Sequence, residues 1–268
     1  MDYLSEVPRD GFNAELQSRN EHLLKLGLKP GPYTKTGTTI VGAIYDKGVI
    51  LGADTRATSG ETVLEKNCRK LHWMAPNIYC AGAGTAADCE HVTLQTASQL
   101  HLLRLHTHTE TRVVTVVALL NELLFKYGGN VGAHLIAAGV DVTGPQLFMI
   151  GADGNYRHLP YTSMGSGSVA AIPVLDATYR DGMTRDEAIA MVVQAIEAGI
   201  KFDNGSGSNV DYVTIEAGGK VDYQRNFRMY NRKVYETTQP YVFPAGTTPI
   251  IKKYEIVSHT EAMQVEEA

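Results

Sequence analysis

The sequence predicts an α+β chain in which two antiparallel sheets pack together and pairs of helices cover their outer sides. Three observations lead there. Strand-period runs gather as hairpins near the start, the middle and the end of the chain. Two blocks of helical period separate them. The resulting order, strands–helices–strands–helices–strands, lacks the β-α-β alternation of a doubly wound parallel sheet.

Residues 1–37 stand apart. They carry charges and turn formers, end in Lys29-Pro30-Gly31-Pro32-Tyr33, and hold a turn or two of amphipathic helix around residues 16–28. Nothing in them builds a core, so the segment reads as a removable propeptide or a disordered arm. Thr39 to Asp54 reads as a hairpin: Ile40, Val41, Ile44 and Tyr45 make one strand, Asp46-Lys47-Gly48 turns, and Val49 to Ala53 return. Leu71 to Met74 and Ile78 to Ala83 form a second hairpin around Ala75-Pro76-Asn77. A helix follows from Thr85 to about Leu105, and another from about Arg112 to Tyr127, where Gly128-Gly129 stops it. In the second, Val113, Val116, Val117, Leu120 and Leu124 keep helical spacing. Val114, Leu119 and Leu123 widen that stripe and predict packing on more than one side.

Strands return at His134 to Val140 and Gln146 to Gly151. Thr184-x-x-Glu187 is a capping box, and its helix places Ile189, Val192, Val193, Ile196 and Ile200 on one face. Val210 to Glu216 and Lys220 to Tyr223 close the domain, 38–225, as a hairpin. Residues 226–268 hold Tyr230, Tyr235, Tyr241, Phe243 and Tyr254 without any period. They read as an extended arm lying on another subunit, since their aromatic content argues against a disordered tail.

Composition narrows the function. A net charge of -5 offers no basic face for nucleic acid. The richest apolar stretch, 113–125, is interrupted by Asn121 and Glu122, so no membrane span is expected. The start, Met1-Asp2-Tyr3-Leu4-Ser5-Glu6, is acidic and polar, unlike a secretory signal. Cys68, Cys80 and Cys89 are odd in number and lack metal-ligand spacing, which suits reduced thiols in the cytoplasm or nucleus. No cofactor and no metal are expected.

The chemistry gathers at Gly37-Thr38-Thr39-Ile40-Val41-Gly42. Cutting the Gly37–Thr38 bond would give Thr38 a free α-amine beside its own hydroxyl, so nucleophile and base would share one residue. An α-amine titrates near ~7.7–8.0 in model peptides and is partly neutral at physiological pH. Before cleavage the same nitrogen is an amide with no useful basicity, so the leader acts as a lock. A nearby cation favours the neutral amine, and Lys70 is the candidate, with Asp54 as its partner. Taken singly, Lys70 reads first as a solvated strand-edge lysine and Asp54 as a turn cap; both readings lose ground once Thr38 is considered.

Gly82-Ala83-Gly84-Thr85-Ala86-Ala87 follows a strand and opens a helix, where backbone N–H groups bind anions or a developing oxyanion. The same letters match a dinucleotide fingerprint, but that fold needs an acidic residue on a following parallel strand. Here helix continues instead. Gly165-Ser166-Gly167-Ser168 and Gly205-Ser206-Gly207-Ser208 are small polar turns, and neither is a G-x-S-x-G elbow. His106 and His108 lack a third ligand and read as exposed.

With these residues in view, the chain resembles a catalytic β-type subunit of the proteasome core particle, most of all the one with trypsin-like activity. The likeness runs from Gly37 to about Asp222. It rests on Thr-Thr-Ile-Val-Gly, Gly-Ala-Asp-Thr-Arg-Ala-Thr, Lys-Asn-Cys-Arg-Lys, Cys-Ala-Gly-Ala-Gly-Thr-Ala-Ala-Asp, Met-Gly-Ser-Gly-Ser and Gly-Ser-Gly-Ser-Asn, all in family order. The resemblance implies the four-layer α-β-β-α sandwich of N-terminal nucleophile hydrolases. It implies Thr38 as nucleophile released by autolysis after Gly37, Asp54 and Lys70 as the pair that tunes it, and the Gly84 N–H as oxyanion hole. Ser166, Asp203 and Ser206 would support the Thr38 amine. Thr58 and Ala86 would hold substrate backbone as an added strand. The specificity pocket maps to Ala57, Cys68, His72, Gly82, Ala86 and Glu90, with Gly82 leaving it wide and Glu90 facing a substrate Arg or Lys. Without the resemblance, Glu90 reads as a solvated helix-face residue. The implied partners are other α- and β-type subunits in stacked seven-membered rings, assembly chaperones and unfolded polypeptides, typically ubiquitin-tagged. Two other readings stay open from the residues alone: a scaffold subunit without activity, and a nucleotide enzyme using Gly82 to Ala87.

Overall fold

A computed structural model describes residues 14–27 and 36–230. Within the leader, α1 spans Ala14–Lys25. The next elements are β1 (Ile40–Tyr45), β2 (Gly48–Asp54), β3 (Ala57–Ser59), β4 (Thr62–Glu65), β5 (Leu71–Ala75) and β6 (Ile78–Gly84). Helices α2 (Ala86–Thr107) and α3 (Val113–Lys126) come next, then β7 (Ala133–Asp141), β8 (Gly144–Ile150), β9 (Tyr156–His158) and β10 (Tyr161–Met164). The described chain ends with α4 (Ser168–Thr178), α5 (Arg185–Phe202), β11 (Asn209–Glu216) and β12 (Lys220–Met229).

The strands make two five-stranded sheets, ordered β10-β1-β2-β11-β12 and β5-β6-β7-β8-β9, with β3-β4 a separate ribbon. Every pairing in both sheets is antiparallel. Alternation along the strands sorts their side chains into three apolar clusters. Ile40, Val49, Leu51 and Ala53 of the first sheet meet Ala81, Ala83, Ile136 and Leu147 of the second. Val41, Ala43 and Ile50 point the other way, onto Leu175 of α4 and Val192 and Ile196 of α5. Cys80, Leu135, Ala137 and Ile150 leave the second sheet on its far side and pack on Val92 and Leu100 of α2 and Val116, Leu120 and Leu124 of α3. Both faces of each central strand are therefore covered, which is why β2 is buried at all seven positions.

Glycine sets two of these spacings. A Cβ at Gly42 would lie 2.7 Å from Leu147 Cδ1, and one at Gly52 would lie 2.5 Å from Ile196 Cδ1. The sheets, and α5 on the first of them, sit as close as they do because these positions carry no side chain.

Several expectations differ from the structure in detail. The ribbon β3-β4 and the strands β9 and β10 were not expected; runs of three or four residues carry almost no period. Val114 is largely exposed, whereas Leu119 and Leu123 do pack on the core, so the stripe on α3 widens to one side only. The last strand continues past Tyr223 to Met229, so 226–229 belong to the sheet and not to an arm. The remainder of that arm, from residue 231, lies outside the described residues. The fingerprint at Gly82 lies on β6, whose neighbours are both antiparallel, so it has none of the βαβ context of a dinucleotide site. His106 and His108 are exposed, and His108 is the left-handed cap of α2.

Candidate active site

Thr38 lies two residues ahead of β1, and the ends of β2 and β10, the start of β5 and the loop after α5 converge on it. Its side chain is buried. Asp54 ends β2 with no exposed surface, and Lys70 precedes β5 and is 6 % exposed. The Lys70 ammonium donates to Asp54 Oδ1 at 2.7 Å, to Thr38 Oγ1 at 3.0 Å and to the Gly37 carbonyl at 3.1 Å. All three of its protons are used. Asp54 accepts four donors: Lys70 Nζ and the Thr39 amide on Oδ1, and the amides of Arg56 and Gly207 on Oδ2. A buried ion pair survives only when its remaining lone pairs are met in this way.

On the opposite side of Thr38, its amide donates to Ser166 Oγ at 3.1 Å. Ser166 and Ser206 each donate to Asp203 Oδ2 at 2.6 Å, and the Gly205 amide donates to Oδ1. Burial alone acts to raise the Asp203 carboxyl, but these hydroxyl and amide donors outweigh it and hold the group below its ordinary value. The Thr38 carbonyl accepts from the Gly167 amide. Gly165, at φ +97°, passes so close that a Cβ there would lie 2.1 Å from the Thr38 carbonyl oxygen. The two small turns of the sequence are thus the walls around Thr38.

Thr36 and Gly37, the last residues of the leader, lie at the mouth of the site. Thr36 donates to the Gly84 carbonyl through its amide and, at 2.5 Å, through its hydroxyl. The Gly37 amide donates to Thr58 Oγ1 at 2.9 Å. Thr38 Oγ1 donates to the Gly37 carbonyl at 2.7 Å. The carbonyl of the bond ahead of Thr38 is therefore held by a hydroxyl and an ammonium together. It is the Gly84 carbonyl, rather than its N–H, that the leader engages.

A cleft of about 1020 Å³ opens from Thr38 toward α2. Ala57, Cys68, His72, Gly82, Ala86 and Glu90 all line it, together with Lys70 and Gly84. Thr58 faces the leader backbone, while Asp54, Ser166, Asp203 and Ser206 lie behind Thr38, outside the cleft lining. Gly82 lines the cleft close to Cys89 and His72: a Cβ there would meet Cys89 Cβ at 3.0 Å and His72 Nε2 at 3.2 Å. Glu90 is exposed on α2, and Glu65 of β4 adds a second carboxylate to the lining. Burial pushes the His72 imidazole below its ordinary value, and the Glu90 charge only partly opposes that. Burial also raises the Cys68 thiol, so it sits in the cleft protonated, and it pushes Cys89 up to about 12. All three cysteines are free.

Four residues in contact with this site receive no role from the sequence, although Thr39, Arg56 and Gly165 lie inside motifs that it displays. Thr36 and Thr39 flank Gly37-Thr38, Gly165 wedges against the Thr38 carbonyl, and Arg56 lies on the Gly207 backbone and donates to the Asn204 carbonyl. Among the described residues no group of three His, Cys, Asp or Glu is placed to hold a metal ion.

A family model described as "Proteasome subunit" matches residues 34–215. The chain is 49% identical over 250 residues to proteasome subunit beta type-7 of Dictyostelium discoideum, covering 93% of both chains. It is 50% identical over 265 residues to proteasome subunit beta type-7-B of Arabidopsis thaliana, covering 96% of both. Against proteasome subunit beta type-2 of Saccharomyces cerevisiae it is 46% identical over 243 residues, covering 91% of this chain and 93% of the other. By the match to its model over most of the length and by these relatives, the chain belongs to the proteasome subunit family and is a beta-type member of it.

Proposed function

We propose that this chain is an N-terminal threonine endopeptidase of the proteasome core particle, made as a precursor and activated by scission of the Gly37–Thr38 bond. The observation that carries this is the single ammonium of Lys70, which touches the Thr38 hydroxyl, the Gly37 carbonyl and the Asp54 carboxylate at once. The fold is read as the four-layer α-β-β-α sandwich of N-terminal nucleophile hydrolases, supported by two helix-covered sheets that face each other.

Maturation starts at the bond already held. Thr38 Oγ attacks the Gly37 carbonyl carbon, the Thr38 nitrogen leaves with a proton as an amine, and water hydrolyses the resulting ester. In the mature subunit that amine takes the Oγ proton, directly or through a water, as Oγ attacks a substrate carbonyl. Lys70 keeps the amine neutral by its charge, and Asp54 holds Lys70 in place. The oxyanion faces the Gly84 N–H. The amine returns the proton to the leaving peptide nitrogen, and water then frees the acyl group. Ser166, Asp203 and Ser206 orient the amine. Thr58 and Ala86 hold the substrate backbone along the path the leader takes now. Glu90, in the pocket with Ala57, Cys68, His72 and Gly82, pairs with a substrate Arg or Lys, giving cleavage after basic residues.

The subunit is read as one member of a seven-membered β ring stacked against a second β ring and two α rings, assembled with chaperones, acting on unfolded and typically ubiquitin-tagged polypeptides in the cytoplasm and nucleus. Thr38→Ala in the assembled particle is the test. Cleavage after Arg and Lys should vanish while the particle still forms, and intact mass should show the leader retained on this subunit. Retained activity in that variant, or a wild-type subunit that keeps its first 37 residues in active particles, would reject the reading.

A further inference from the structure

We propose that Thr39 is a positioning residue for both halves of the Thr38 site, acting through its own hydroxyl as well as its backbone. This rests on the reading of Thr38 as the nucleophile. Thr39 is fully buried. Its amide donates to Asp54 Oδ1 at 2.9 Å and its carbonyl accepts from the Asp54 amide, so its backbone is fastened to the Lys70 side. Its hydroxyl lies 2.7 Å from Ser206 Oγ. Ser206 uses its one proton on Asp203 Oδ2 at 2.6 Å, so Thr39 is the donor in that pair. The hydroxyl proton of Thr39 thus begins a chain that runs through Ser206 to Asp203, where Ser166 arrives from the Thr38 nitrogen.

The surroundings are built for that hydroxyl. A Cβ on Gly167 would lie 1.9 Å from Thr39 Oγ1, and one on Gly199 would lie 2.3 Å from it. Gly199 is interior to α5, where glycine is an unfavourable residue. Its role is to let the helix pass over Thr39. An apolar residue of the same shape would fill the space but leave Ser206 Oγ without its donor. Ser206 would then bind Asp203 less firmly, because a hydroxyl that accepts a hydrogen bond is a stronger donor. The Asp203 charge would be felt more fully across Ser166 at the Thr38 amine and raise its proton affinity. The other ionisable groups at that amine, Asp54 and Lys70, keep their own contacts.

The experiment compares core particles carrying Thr39→Val, Thr39→Ser and Thr38→Ala in this chain, normalised to assembled particles. A fluorogenic peptide ending in arginine gives kcat, KM and the pH profile of kcat/KM. Thr39→Val should lower kcat by roughly tenfold, the worth of one buried hydrogen bond, with KM little changed. The rising limb of its pH profile should move to higher pH. Thr39→Ser should recover most of the loss. In a double-mutant cycle Ser206→Ala should cost measurably less in the Thr39→Val background than in the wild type, because only the Ser206–Asp203 bond is then left to lose. Should Thr39→Val fail to enter particles, Thr39→Cys, a weak donor, takes its place with an intermediate loss. Thr39→Val or Thr39→Cys with wild-type kcat and an unmoved limb would overturn the proposal, as would additive losses in the cycle. An active Thr38→Ala particle would instead overturn the nucleophile reading itself.

Discussion

At the scale of single residues, the site is governed by atoms that leave no room for substitution. Asp54 is the clearest case: four donors and no exposed surface mean that its carboxylate is replaced by nothing else of that size. Asp54→Ala should leave the Lys70 ammonium buried and unpaired, a loss on the order of 3–5 kcal/mol. A fall in the melting temperature of the full chain, together with loss of leader processing, would show it. Gly165→Ala should be nearly as damaging to activity without touching any charged group, because its Cβ would strike the Thr38 carbonyl from a left-handed backbone. We expect at least a hundredfold loss of cleavage after basic residues, since a misplacement of about 1 Å can cost that much.

His72 predicts a pH effect. Burial depresses it, so it is neutral at pH 7 and leaves the Glu90 charge uncancelled in the cleft. The stability linked to a neutral His72 is complete above its unfolded value of about 6.5, and it is lost as pH falls through the depressed value. Over that same acid range the new imidazolium offsets Glu90, so KM for arginine peptides should rise. His72→Gln should abolish that rise, and its persistence in His72→Gln would reject the assignment.

At the scale of elements, sequence period was a good guide to long helices and a poor one to short strands. The stripe on α3 and the capping box of α5 were legible, and the structure shows Thr184 and Glu187 closing both halves of the box. Thr184→Ala should lower the stability of the full chain by about 1 kcal/mol, read by chemical denaturation. The strands β9 and β10 were not legible, and α4 could not be given limits. Each is held by its neighbours: β10 by its register with β1, and α4 by packing on α5 and β1. The same holds at the site. Thr38 draws attention as a threonine after a glycine at the start of a strand, and Asp54 and Lys70 gain a role only beside it and through the family resemblance. The parts played by Gly199, Gly165 and Thr39 are not legible, because they lie in close approaches between segments far apart in the chain.

At the scale of the whole molecule, two sheets meet across a seam whose width is set by a missing side chain. Gly42→Val should force Leu147, Ile136 and Leu51 apart and destabilise the chain by roughly 1–3 kcal/mol, with loss of assembly as the visible result on native gels. The outer surface of the described residues also bears large apolar side chains away from the cleft, among them Phe125, Val169 and Phe202, which suits a chain whose partners cover it. Composition gave no hint of that, since an exposed leucine and a buried one are the same letter.

The path of Thr36 and Gly37 through the cleft has a last consequence. The groove that would later hold a foreign peptide is threaded first by the chain's own forerunner, gripped by Gly84 on one flank and Thr58 on the other. On the proposed reading, every copy must digest one strand in that groove before it meets any other. A miscast groove therefore silences its owner at birth: it fails its rehearsal, keeps its cork, and joins the barrel as a blank.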